Sequence, residues 1–122
     1  ELSRAWIVLV VEGHEDLLRW SLVPERNGWT SKLEIDATRV AAYFGHDKLV
    51  DIFLQSDLLF SSSKTDRLVA AALGAAEAGR VSDLAVFVAE LKNKGVSLQP
   101  ILSDLSAEYS DGLLSDQTDK HI

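Results

Sequence analysis

The chain has 122 residues, of which 47% are hydrophobic and 25% charged, so it is long enough for one soluble globular domain with a substantial core. Its net charge of −7 disfavours nucleic acid as a partner. The absence of cysteine excludes disulfides, thiolate zinc sites and cysteine nucleophiles, and no run of about 20 apolar residues could span a membrane. A chain that begins at Glu1 without methionine is expected to be a processed form or a piece of a longer protein.

Apolar residues recur with helical spacing along most of the chain. They predict helices at about 2–12, 15–23, 33–44, 47–59, 66–78, 81–94 and 98–109. Four β-branched residues crowd into 6–11, which leaves a strand there as the alternative. Thr65 or Asp66 is expected to cap the fifth helix, and Ser82 or Asp83 to place an acceptor or a charge in the first turn of the sixth.

Four glycines, Gly13, Gly45, Gly79 and Gly112, recur at nearly constant intervals along the chain. The intervals are all about 33 residues, a period typical of helix-hairpin repeats. Gly45 and Gly79 stand where a helix would close with positive φ, which glycine adopts without steric penalty. The sequence therefore predicts an all-α fold, a short α-solenoid of three to four antiparallel helical hairpins. The units fall near 1–31, 32–64, 65–97 and 98–112 of a single domain at 1–109, and a polar, flexible tail follows at 110–122.

The third unit resembles a pentatricopeptide repeat. Its first helix closes with Gly79, and its second helix ends in a lysine-rich turn with Gly95. The distance between these two glycines fits the second helix of the pentatricopeptide family better than the shorter second helix of ankyrin repeats. Residues 41–46 resemble an inner segment of an ankyrin repeat, which makes that family the second choice. The threonine-proline-leucine-histidine turn that marks ankyrin repeats is absent from the sequence.

The pentatricopeptide resemblance implies that the chain reads single-stranded RNA, one base per repeat, through two positions in each unit. The corresponding residues here are Asp36, Thr65, Ala70, Leu98 and Ser103. Only Thr65 and Ser103 are of the usual polar, uncharged type, and Asp36 would place a carboxylate beside phosphates. The resemblance also implies a mitochondrial or chloroplast location.

Motifs for catalysis or for bound groups are weak. Residues 74–81 have the glycine spacing of a phosphate loop but carry arginine for its lysine and valine for its metal-binding hydroxyl. His14 and His46 follow turn glycines and precede acidic residues, with no third ligand at a suitable spacing, which favours a structural role in the turn. We therefore expect no catalytic residue, no cofactor and no metal site.

The candidate partner contacts are Trp29, Arg26, Lys92 and Lys94. An exposed indole at Trp29, flanked by polar residues, would suit a contact hot spot, with core packing as the alternative. Lys92 and Lys94, with Arg80 at the other end of the same helix, form a cationic cluster for which a solvated face is the alternative. The sequence thus predicts a non-catalytic structural or interaction module, an accessory subunit docked on protein partners in a larger assembly. Single-stranded RNA binding is the alternative function.

Overall fold

The computed structural model describes residues 2–23, 28–55 and 60–99, which form six α-helices and no strand. The helices are α1 (Leu2–Val11), α2 (Glu15–Ser21), α3 (Ser31–Tyr43), α4 (Asp47–Phe53), α5 (Lys64–Glu77) and α6 (Val81–Asn93). The predicted all-α class is confirmed, and the strand alternative at 6–11 is wrong because α1 covers that segment. Apart from its first two residues, the predicted helix at 98–109 lies outside the described residues, as does 110–122.

Local capping sets the start of α5. Ser63 is the N-cap, with extended backbone angles, and its Oγ accepts the backbone N–H of Asp66 at 3.1 Å. The predicted caps Thr65 and Asp66 are therefore wrong, since the helix already begins at Lys64 and both residues lie in its first turn. Asp83 does lie in the first turn of α6, where its charge suits the helix dipole.

Alternate helices pack side by side, α1 against α3 and α3 against α5. α2 contacts α4, and α5 contacts α6. One core cluster contains residues of all four helices from α1 to α4 and includes Trp6, Leu18 and Phe53. A second cluster lies between α5 and α6 and includes Leu68 and Leu91. Burial of these apolar surfaces is the main stabilising contribution.

Small residues bring α3 and α5 close together. Ala71 on α5 is fully buried, in the core cluster that also contains residues of α3. A Cβ on Gly74 would overlap the carbonyl oxygen of Arg39, so the two backbones nearly touch. The Arg39 guanidinium also donates two hydrogen bonds of 2.6 Å to the Glu77 carboxylate, a bidentate pair that fixes the register of the two helices.

A buried polar network holds the connection into α5. The Glu34 carboxylate, 1% exposed, accepts hydrogen bonds from the backbone N–H groups of Ser61 and Ser62 at 3.0 and 2.8 Å, and from the Ser62 hydroxyl at 2.7 Å. Arg67 is fully buried and donates to the Ser62 Oγ and to the carbonyls of Ser62 and Phe53. Ser62 therefore joins a buried carboxylate to a buried guanidinium. The sequence indicated only a serine-rich connector here.

Candidate interaction surface

The turns that join α1 to α2, α3 to α4 and α5 to α6 share one backbone geometry. Gly13, Gly45 and Gly79 have φ of 73°, 71° and 73°, which confirms the positive φ predicted at the last two. In each turn the residue after the glycine donates its N–H to the carbonyl five positions earlier, at 2.8 to 3.0 Å. This bond, with the glycine N–H bonded three positions back, is the Schellman pattern that satisfies the open carbonyls of a helix end.

In the second and third of these turns, the residue after the glycine also bonds to the last residue of the helix that precedes the earlier turn. His46 donates through Nε2 to the carbonyl of Val11 at 2.7 Å, and Arg80 donates through Nε to the carbonyl of Tyr43 at 2.9 Å. Val11 and Tyr43 are the last residues of α1 and α3, so the two bonds are equivalent. His14 occupies the same place in the first turn, where it meets the side chain of its own turn's Glu12 instead.

Gly45→Ala is expected to lower the free energy of unfolding by more than Gly79→Ala. Both substitutions force alanine into positive φ, at about 1–2 kcal/mol. At Gly45 the new Cβ would also lie 2.5 Å from Cζ of Arg80, whereas at Gly79 nothing lies within 4 Å. Displacing Arg80 loses its bond to Tyr43, worth about a further 1 kcal/mol. Urea unfolding of both variants measures the difference, and equal losses would show that Arg80 contributes nothing.

An apolar groove of about 420 Å³ opens between α1 and α2. Its lining residues are Ala5, Val8, Leu9, His14, Leu17, Trp20 and Ser21, and we call it the α1–α2 groove. Val8, Leu17 and Trp20 are 55%, 52% and 58% exposed, although all three are large and apolar. Three such side chains around one concave surface are typical of a contact site for another apolar surface.

Trp29 does not contribute to this exposed surface, and the expectation of an exposed indole there is wrong. It is only 5% exposed and packs edge-on against Phe53, with ring centroids 5.8 Å apart. Its Nε1–H donates to the Ser21 hydroxyl at 2.9 Å, so the polar edge of the ring is satisfied and burial carries little penalty. Arg26 lies outside the described residues. The exposed indole is that of Trp20, which sequence reasoning missed.

The predicted cationic cluster is divided between the two ends of α6. Lys92 and Lys94 are exposed at the C-terminal end, where positive charge suits the helix dipole. Arg80 precedes the other end, about 20 Å away along a helix of 13 residues, and contacts the turn after α3. The three cations therefore do not form one patch.

The described RNA-reading positions do not line a common polar surface. Ala70 is buried, and Leu98 packs in part against the α5–α6 core cluster. Asp36 pairs with Lys32 at 2.8 Å within α3, and Thr65 is half-buried in the first turn of α5. Ser103 lies outside the described residues.

Nothing within 2–23, 28–55 and 60–99 adds a candidate chemical site. No group of three histidine or carboxylate side chains in this part of the chain could hold a metal ion. The phosphate-loop spacing at 74–81 falls in the last turn of α5 and the turn after it, not in a loop that follows a strand. No helix in the described part is long and apolar enough to cross a membrane.

Comparison with known proteins gave no matching family model, no matching curated protein and no matching solved structure.

Proposed function

We propose that the chain is a non-catalytic interaction module, an accessory subunit that docks on a protein partner in a larger assembly. The observation that carries this proposal is the α1–α2 groove, where Val8, Leu17 and Trp20 remain exposed side by side. Full burial of an exposed side chain of this kind contributes roughly 1.5–3 kcal/mol, so a side chain that is about half exposed forgoes roughly half of that. A partner that covers them recovers much of that free energy, and tryptophan is enriched among the residues that dominate binding.

The proposed architecture is a short α-solenoid of antiparallel hairpins. It is supported by the adjacency of α1, α3 and α5, by the three equivalent turns and by the two equivalent bonds between turns. In such a stack each unit buries its apolar face against its neighbours. α2 and α4, at seven residues each, favour the ankyrin-like alternative for the first two units, whereas the 13-residue α6 suits the pentatricopeptide resemblance of the third.

The RNA-binding alternative depends on the family resemblance alone, as does an organellar location. RNA affinity depends largely on cations that neutralise phosphates, and this chain carries a net charge of −7. The burial of Ala70 also removes one of the positions at which a base would be read. Contact with protein is therefore the function that we propose.

The proposal is tested by capturing proteins from an extract of the source cells on the immobilised chain, after RNase treatment, with washes at low and high salt. Apolar contact predicts a partner that stays bound at high salt. The variant Leu17→Lys should release it, and Val86→Lys should not, because Val86 is 62% exposed on α6, away from the groove. The two variants have the same charge, so a difference between them reports position. Capture that is abolished by RNase or by salt would contradict the proposal.

A further inference from the structure

We propose that the α1–α2 groove binds a helical hairpin of a partner protein, which lies on α1 and α2 as those helices lie on α3 and α4. This inference rests on the proposed interaction function and gives it a location and a kind of partner. It follows from comparing the first unit of the chain with the second, residue by residue.

The groove has a counterpart that is already occupied. Each of its seven lining residues has an equivalent in the second unit, displaced along the chain by the interval that separates Gly13 from Gly45. The equivalents are Ala37, Val40, Ala41, His46, Leu49, Ile52 and Phe53. Five of these seven are at most 1% exposed, and the other two are partly buried. In the first unit Leu9 and Ser21 are buried, but the other five lining residues are exposed. Most of this surface is thus covered in the second unit and open in the first.

A helical hairpin covers the counterpart surface. α1 packs against α3, α2 packs against α4, and Trp6, Val10 and Leu18 of the first unit lie in the same core cluster as Leu49 and its neighbours. The hairpin also presents a helix-terminal carbonyl, that of Val11, to the ring of the second unit's turn histidine. A hairpin with an apolar face and an open carbonyl at the end of its first helix therefore fits this type of surface.

The first unit retains the groups that such a hairpin would meet. His14 stands in the place from which His46 donates to Val11, and it is itself part of the groove lining. Glu12 and Asp16 are exposed beside His14, so the end of the groove at the turn is acidic. We infer a partner hairpin with basic residues beside its apolar face. A second copy of this chain fits less well, because two bodies of charge −7 repel each other.

The inference is tested with the α1–α2 hairpin itself, because in this chain it already packs on the counterpart surface of the second unit. A second copy of residues 1–32 is fused ahead of the full chain, and Trp20→Phe is introduced in the added copy alone. Trp6 and Trp29 are buried, so quenching of fluorescence by acrylamide reports mainly the remaining Trp20. A docked copy should lower the quenching constant several-fold and unfold together with the chain in one urea transition with a larger m value.

Matched variants in the original chain of the fusion test whether the added copy docks on the α1–α2 groove. Leu17→Lys should restore quenching of Trp20, and Val86→Lys should not. An added copy that stays unfolded by circular dichroism, or that folds without shielding Trp20, would overturn the inference. That failure is distinguishable from failure of the proposed function, because salt-resistant capture of a protein that Leu17→Lys abolishes would still show docking on the groove, by a segment that is not a hairpin.

Sedimentation of the wild-type chain tests the choice of occupant. We expect a monomer. A dimer that dissociates on Leu17→Lys but not on Val86→Lys would show that a second copy fills the groove, which would overturn the assignment to a different partner.

Discussion

Arg67→Met is expected to lower the free energy of unfolding by about 3–5 kcal/mol, since removing one member of a buried charged network leaves the others uncompensated. The guanidinium is fully buried, donates to the carbonyls of Phe53 and Ser62, and lies over the Phe60 ring with Cζ 4.3 Å from the centroid. Methionine preserves much of the apolar packing but donates no hydrogen bond. Glu34 would then lose the guanidinium that bonds the same Ser62 hydroxyl. Urea unfolding followed by circular dichroism measures the loss.

Glu34→Gln tests the same network from its acidic side and should cost about 2–4 kcal/mol. Both carboxylate oxygens accept N–H bonds from the 61–62 backbone, and an amide NH₂ in either place would face a donor. Lys32→Ala is the matched control, because the Lys32–Asp36 pair is exposed and is worth less than about 0.5 kcal/mol. If Arg67→Met lowered the free energy of unfolding by no more than Lys32→Ala does, the network would not stabilise the fold.

Gly74→Ala is expected to destabilise the protein by about 3 kcal/mol, the reverse of the usual effect of this substitution, because it overpacks a helix contact. In an exposed helix interior, alanine is favoured over glycine by about 1 kcal/mol. Here the added Cβ would overlap the carbonyl oxygen of Arg39 and lie 3.1 Å from the backbone N of Tyr43. Both atoms belong to the backbone of α3, so relief requires α3 and α5 to separate.

Thermal unfolding and urea unfolding of Gly74→Ala measure this effect, with the part-buried Arg39–Glu77 contact as a second readout. Separation of α3 from α5 should also weaken that ion pair, so Glu77→Ala should cost less in the Gly74→Ala background than in the wild type. An increase in stability for Gly74→Ala would refute the close approach of the two helices.

Helix positions could be predicted because their signals are local. The turn glycines and the helical apolar period lie within each helix or beside it, and the six described helices all fall at predicted places. The ends were less accurate. α4 ends at Phe53, not near 59, and α5 begins at Lys64 because Ser63 caps it. A rule that looked for a capping hydroxyl one repeat interval after Thr30, the cap of α3, would have found Ser63.

Burial depends on residues distant in sequence, and local patterns therefore missed it. Trp29 lies in a polar stretch, yet it packs on Phe53 and donates to Ser21. Ser62 lies in a serine run typical of a connector, yet its partners are Glu34, 28 residues earlier in the chain, and the buried Arg67. Polar residues of this kind are buried only because the fold supplies hydrogen-bond partners for them.

At the α1–α2 groove, local patterns fail in the opposite way, because they predict burial for a residue that is exposed. Helical periodicity places Leu17 and Leu49 at equivalent positions and predicts that both face the apolar side of a helix. Leu49 is 1% exposed and Leu17 is 52% exposed, because the second unit has the first unit against it. Exposure of an apolar helix face is thus decided by the element that packs against it and not by its own sequence.

The measurement that most directly tests whether this chain acts through apolar contact rather than through phosphates is RNA binding by the purified, folded chain. Fluorescence anisotropy with a pooled single-stranded RNA library, at low and at physiological salt, is sufficient. We predict no binding even at low salt, since the acidic charge and the divided cations give phosphates no site. Binding at about micromolar affinity or tighter that weakens steeply with salt would contradict the protein-contact function and identify an RNA-binding repeat protein.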